Sequence, residues 1–173
     1  MSKVAVFGSA FNPPSLGHKS VIESLSHYDK VLLVPSISHA WGKEMADYSL
    51  RCELLAGFVT DIALPNVELS KVEERLYVPG TSVTTFAVLS ELQQNFPDAD
   101  ITFIMGPDNI VNLTKFYRYD EILRRWSLLA CPEKVAIRST QIRENLSAGN
   151  SIAALTTPSV AKLLDEQRIY HSS

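Results

Sequence analysis

Short apolar runs alternate with stretches of helical periodicity along this chain, and that alternation limits the fold more than any other feature. Residues 4–7 (VAVF), 30–35 (KVLLVP), 100–106 (DITFIMG) and 126–131 (WSLLAC) are too short for buried helices. They also lack the polar-apolar alternation of a half-exposed strand, so each reads as a strand covered on both faces. A shorter strand is expected at 66–70 (NVELS). Between them, apolar residues fall at helical spacing: Val21, Ile22, Leu25 and Tyr28; then Leu50, Leu54, Leu55, Phe58 and Ile62; then Val83, Phe86, Leu89, Leu92 and Phe96, stopped by Pro97. A helix is expected over 139–146 from Ser139 or Thr140, and a last one with Thr157 as N-cap and Pro158 at its first position.

Strands alternating with helices imply an α/β fold with a mostly parallel sheet. Ligands of such sheets bind beyond the carboxyl ends of the strands. Residues 8–18, 35–43, 106–109 and 131–140 should therefore gather in one place.

Length and charge narrow the rest. The 173 residues suit a single domain over 1–173, with a C-terminal helical part from about 139. A net charge of −3 supplies no basic field for nucleic acid. Cys52 and Cys131 lie far apart, outside any disulfide or zinc spacing, which suits a reducing cytosol. Apolar runs of four or five residues are far short of a membrane span, and the N-terminus has no signal-peptide pattern. The expectation is a soluble cytoplasmic protein with no membrane partner. Oligomeric state is open.

The stretch GSAFNPPSLGH (8–18) links the first strand to the first helix. A glycine-bearing turn entering a helix suggests a phosphate cradle, because free backbone N–H groups and the helix dipole favour an anion there. It has no G-x-G-x-x-G fingerprint. GHKS (17–20) mimics the end of a P-loop, but His18 displaces the lysine and Gly8 is too far back.

What remains, G-x-x-F-x-P-P-x-x-G-H, resembles the nucleotidyltransferase superfamily, whose first helix starts with [TH]-x-G-H. Within it, the chain is most similar to the nicotinate-nucleotide adenylyltransferase family and its G-G-T-F-D-P-P-H-x-G-H. The family's I-S-S-T-x-I-R has a counterpart in IRSTQIR (137–143), and its G-A-D in MGPDN (105–109). SHAWGK (38–43) stands for its P-P-H-K, TSVTTF (81–86) for its S-Y-T and KFY (115–117) for its K-W-[HY]. The resemblance runs in order along the whole chain.

The resemblance implies the nucleotidyltransferase fold, a Rossmann-like doubly wound parallel sheet. It implies transfer of AMP from ATP to nicotinate mononucleotide with release of pyrophosphate, on the route to NAD. Magnesium would arrive with ATP, and no residue is assigned as a protein metal ligand. His18 would be catalytic, touching the reacting phosphates and holding its proton among them. Gly8, Ser9, Ala10, Phe11 and Ser15 would line the phosphates; Gly106 and Asp108 would hold adenosine; Ser139, Thr140 and Arg143 would grip the outer phosphates. Lys43, Thr84 and Phe116 would bind the mononucleotide, Phe116 by stacking. Each has a plainer rival: Asp108 as a cap of a helix from Asn109, Lys43 as a solvated lysine, Phe116 as core, Arg143 as a surface arginine.

The chain departs from the family at Asn12 for aspartate, Ser15 for threonine or histidine, Val83 for tyrosine, Phe116 for tryptophan and Arg138 for serine. The link from Cys131 to Ile137 is short. Two alternatives stay open: a sister transferase using phosphopantetheine or nicotinamide mononucleotide, and a nucleotide-binding protein with weak or lost turnover.

Overall fold

The computed structural model describes residues 2–38 and 45–171. Five strands form one parallel sheet: β1 (Lys3–Ser9), β2 (Lys30–Pro35), β3 (Val67–Leu69), β4 (Asp100–Met105) and β5 (Ser127–Ala130), in the order β3-β2-β1-β4-β5. This is the doubly wound, Rossmann-like order. The helices are α1 (Leu16–Glu23), α2 (Tyr48–Ile62), α3 (Val72–Leu76), α4 (Thr85–Asn95), α5 (Pro107–Val111), α6 (Tyr119–Arg125), α7 (Ser139–Ser147) and α8 (Pro158–Glu166), with a 3-10 turn over Leu113–Lys115.

Strand side chains alternate between two cores, as the pleat requires. Ala5, Phe7, Val31, Leu33 and Ile104 pack against α1, α2, α7 and α8 through Ile22, Leu55, Phe58, Ile142 and Leu164. Val4, Val6, Leu32, Val34, Ile101 and Phe103 face Val72, Val88, Leu89, Leu92 and Ile122 of α3, α4 and α6. The uninterrupted apolar runs of β1, β2 and β4 exist because both faces are covered. The run at 126–131 was expected to be covered likewise, but β5 is an edge strand whose Ser127, Leu129 and Ala130 are exposed.

Most elements fall where periodicity put them, and α8 begins at Pro158 with Thr157 in the N-cap position, although the Thr157 side chain makes no capping hydrogen bond. The first helix is shorter: α1 stops at Glu23, and Leu25 and Tyr28 reach the same core from the turns that follow. The one-turn helices α3 and α5 are too short to show a periodic face.

The chain runs outward from β1 to β2 and β3, then returns to β4 on the other side of β1. Connections leaving β1 and β4 therefore diverge and open a crevice at the carboxyl edge, the usual ligand position of such sheets.

Candidate active site

A cavity of about 670 Å³ fills that crevice, lined by residues 8–12, Ser15 and His18 after β1, 106–109 after β4, and 138–140 with Arg143 at the start of α7. A second cavity of about 450 Å³ adjoins it and shares Gly8, Ser9, Ala10 and Asn109. The proposed ATP-side residues Gly8, Ser9, Ala10, Phe11, Ser15, His18, Gly106, Asp108, Ser139, Thr140 and Arg143 all line the first. Thr84 and Phe116 line the second. Lys43, with His39 and Trp41, lies outside the described residues.

His18 is fixed by a reciprocal cap at the start of α1. The Ser15 main-chain N–H donates to Nδ1 at 3.0 Å, and the His18 N–H donates to the Ser15 hydroxyl at 3.3 Å. A backbone N–H can only donate, so Nδ1 accepts and a neutral ring carries its proton on Nε2. Nε2 lies 3.2 Å from the Ser9 hydroxyl in the cavity wall. The ring stacks obliquely on Phe11, centroids 4.7 Å apart. Burial pushes its pKa down to about 4. A proton-holding imidazole was the expectation; without phosphates, desolvation leaves His18 neutral, an uncharged Nε2–H donor.

Phe11 adopts left-handed backbone, φ 48°, which costs a non-glycine residue about 1–2 kcal/mol. Its wholly buried ring, edge-on to Phe7 and against His18, offsets that cost. The turn aims the Phe11 N–H back at the Ser9 hydroxyl, 3.4 Å away. The Phe11 N–H is thus already engaged within the loop.

Ser15 also differs from expectation. Only 1% exposed, its hydroxyl donates to the Ile137 carbonyl at 3.1 Å while capping α1. Its one proton is committed to the protein, so Ser15 supports His18 and is no free phosphate donor. Ser20 makes a similar link, accepting from the N–H groups of Lys134 and Val135 at 3.1 and 3.3 Å. The short 131–137 segment is thus bound along α1, close enough that Gly17 has no room for a side chain.

Arg143 donates to the Asn12 carbonyl at 2.6 Å and to the Thr140 hydroxyl at 3.2 Å, and Ser139 donates to the Pro13 carbonyl at 2.7 Å. Asn12, where the family has aspartate, is buried; its Oδ1 accepts from the Ala46 N–H and the Tyr170 hydroxyl. Arg51, 1% exposed, donates to the carbonyls of Ala10, Ser36 and Ala46, bracing the loops after β1 and β2 from behind.

Asp108 is no cap: α5 begins at Pro107 with Gly106 as N-cap, and the Asp108 side chain is 85% exposed, 3.9 Å from Arg138. Phe116 combines both readings, packing on the second core while bordering the second cavity. Thr84 caps α4 by accepting from the Ala87 N–H at 3.1 Å.

Five residues join the cavities without having been singled out for them: Glu133, Arg138 and Asn109 in the first, Lys115 and Glu73 with Asn109 in the second. Arg138 and Lys115 lay inside recognised motifs, which was the available signal. Glu73, inside VEER, had none. The described residues hold no group of three or more His, Cys, Asp or Glu able to cage a metal.

A family model described as cytidylyltransferase-like matches residues 6–152. The nicotinate-nucleotide adenylyltransferase of Bacillus subtilis (strain 168) is 26% identical over 194 residues, covering 99% of this chain and 100% of its own. A crystal structure of a candidate nicotinate-nucleotide adenylyltransferase from Vibrio parahaemolyticus superposes with a TM-score of 0.89 at 51% identity, covering 100% of this chain and 98% of that one. A Plasmodium falciparum nicotinic acid mononucleotide adenylyltransferase complexed with NaAD shares the fold, with a TM-score of 0.80 at 14% identity and 98% coverage of both chains.

Proposed function

Because the chain belongs to the cytidylyltransferase-like family, and within it to the nicotinate-nucleotide adenylyltransferases, we propose that it transfers AMP from ATP to nicotinate mononucleotide. The observation that carries this reading is the pair of adjoining cavities sharing Gly8, Ser9 and Ala10. Two nucleotides seated in them would meet at the loop after β1, beside His18.

In the reaction, an oxygen of the mononucleotide phosphate attacks the α-phosphorus of ATP, the bond to the β-phosphate breaks, and pyrophosphate leaves. The attacking group is already ionised, so positioning and charge stabilisation do most of the work. His18 donates from Nε2 to the reacting phosphate, its ring held by Ser15 and Phe11. Arg143, with Ser139 and Thr140, takes the outer phosphates. Arg138 adds a second guanidinium to that cavity. Gly106 and Asp108 receive the adenosine, the carboxylate of Asp108 accepting from ribose hydroxyls. Thr84 and Phe116 flank the pyridine ring. Lys43 is assigned to the mononucleotide phosphate.

Asp108 and Glu133 are the carboxylates bordering the first cavity; they fit a cation that travels with ATP and not one held in a protein cage. Magnesium bound to ATP would neutralise phosphate charge. A cytoplasmic location suits Cys52 and Cys131, both free thiols. No helix among the described residues is long and apolar enough to cross a membrane.

Pyrophosphate release from Mg-ATP, measured with each acceptor offered singly, tests the reading. Release with nicotinate mononucleotide is expected. Release with phosphopantetheine alone, or with no acceptor, would refute it.

A further inference from the structure

The second cavity contains a buried carboxyl group that the transfer reaction does not use. Glu73 of α3 is 8% exposed, and its Oε1 accepts from the Ile37 N–H at 3.2 Å. It borders the same cavity as Thr84 and Phe116, the residues assigned to the pyridine ring. Ser38 borders it too, and its buried hydroxyl finds no hydrogen-bond partner among the described residues. Buried polar atoms left short of partners are costly. A buried carboxyl, and a buried hydroxyl without a partner among the described residues, in a cavity that Val6, Val34, Val88 and Phe103 also line, suit a polar group brought in by a ligand.

A pyridine mononucleotide has such a group, the acyl substituent of its ring, which is a carboxylate in one form and a carboxamide in the other. We propose that Glu73, with Ser38 beside it, reads this substituent and sets the preference between the two, its ionised carboxyl accepting from a carboxamide and repelling a carboxylate. This rests on the adenylyltransferase reading and deepens it.

Burial pushes the Glu73 carboxyl up to about 7, against the opposing pull of the Ile37 N–H and of Arg51. Arg51 and Tyr48 face it from α2, and Lys115 borders the cavity it lines. β2 and α4 contribute Val34, Thr84, Thr85 and Val88 to the cavity, none of them charged. Protonated, the same carboxyl becomes a donor that a nicotinate carboxylate can accept from. The preference should therefore move toward the carboxamide as pH rises through about 7.

Affinities of nicotinate and nicotinamide mononucleotides, by calorimetry on either side of that pH, test the proposal alongside kcat/KM. In the wild type, the nicotinate-to-nicotinamide ratio should fall with rising pH. Glu73→Gln should raise that ratio by about tenfold at the higher pH, since it removes a like charge held close to the nicotinate carboxylate, and should abolish its pH dependence. Glu73→Asp should keep the wild-type direction. A ratio that does not change with pH in the wild type, or is unchanged in Glu73→Gln, overturns the role of Glu73. Binding of both mononucleotides without turnover refutes the transferase reading while the affinity ratios still decide on Glu73. A protein that binds neither refutes both.

Discussion

Arg143 donates to the main-chain carbonyl of Asn12 at 2.6 Å, although the two residues are 131 positions apart. This bond ties the start of α7 to the loop after β1. Ser139 repeats the tie at Pro13, and Tyr170 extends it to the C-terminal turn through Asn12 Oδ1. The loop that cradles His18 is thus held by the same arginine assigned to the outer phosphates, so the two halves of the candidate triphosphate site share a support.

Replacing Arg143 by lysine should weaken ATP binding by about tenfold, because a single ammonium nitrogen replaces the rigid fork whose two nitrogens reach the Asn12 carbonyl and the Thr140 hydroxyl. Fluorescence titration with a non-hydrolysable ATP analogue reads this. Unchanged affinity would mean that Arg143 is a strut only.

Gly17→Ala should destabilise the fold by about 1–3 kcal/mol, the usual range for overpacking. A Cβ there would sit 2.1 Å from the Ile137 carbonyl oxygen and 2.3 Å from a Glu133 oxygen. The glutamate side chain can swing away; the carbonyl moves only with the backbone of the 131–137 segment. Urea unfolding of the two proteins gives the difference.

Ser15→Ala should cost about 1 kcal/mol through loss of the helix cap, with a further loss of turnover as His18 gains freedom. Ser15→His, which restores an imidazole found in the family, should not accelerate the enzyme. The position is buried, and the new ring would displace the cap and the bond to Ile137. Steady-state rates of both variants decide this, and a faster Ser15→His protein would contradict it.

His18 gives stability a defined pH response. Its folded pKa of about 4 lies below the ordinary 6.5, so between these values the unfolded chain binds the proton more readily. The contribution is complete above about 6.5 and is lost as pH falls toward about 4. Glu73 acts in the opposite sense, being held up to about 7 from 4.5, so that its contribution is lost as pH rises through that range. Comparison with His18→Asn isolates the histidine: the difference in unfolding free energy should shift toward the wild type from about pH 4 to about 6.5. A flat difference would contradict a buried neutral His18.

Much of this was legible in the residues themselves. Continuous apolar runs identify β1, β2 and β4 as strands covered on both faces, whereas the same pattern at 126–131 belongs to an exposed edge strand. Thr157-Pro158 marks a helix start. The start of α7 was readable as well. The rival reading of Asp108 as a cap fails because α5 starts earlier, at Pro107, which was itself a first-turn signal. The left-handed Phe11 could not be read at all, since it depends on Phe7 and His18 closing around its ring. Ser15 looked like a phosphate donor because its partner, Ile137, is 122 residues away. Glu73 carried no signal in the sequence, because only the tertiary packing of α3 buries it. Local chemistry is written along the chain, whereas the occupation of a hydroxyl or the burial of a carboxylate is decided by distant neighbours.

The most direct test of a transfer centre at His18 is the single-turnover rate of His18→Ala with Mg-ATP and nicotinate mononucleotide, measured alongside ATP affinity. The rate should fall by about a hundredfold or more, the usual cost of a lost transition-state donor. ATP affinity should change little and the circular dichroism spectrum should persist. A near-normal rate in a folded variant would contradict the account.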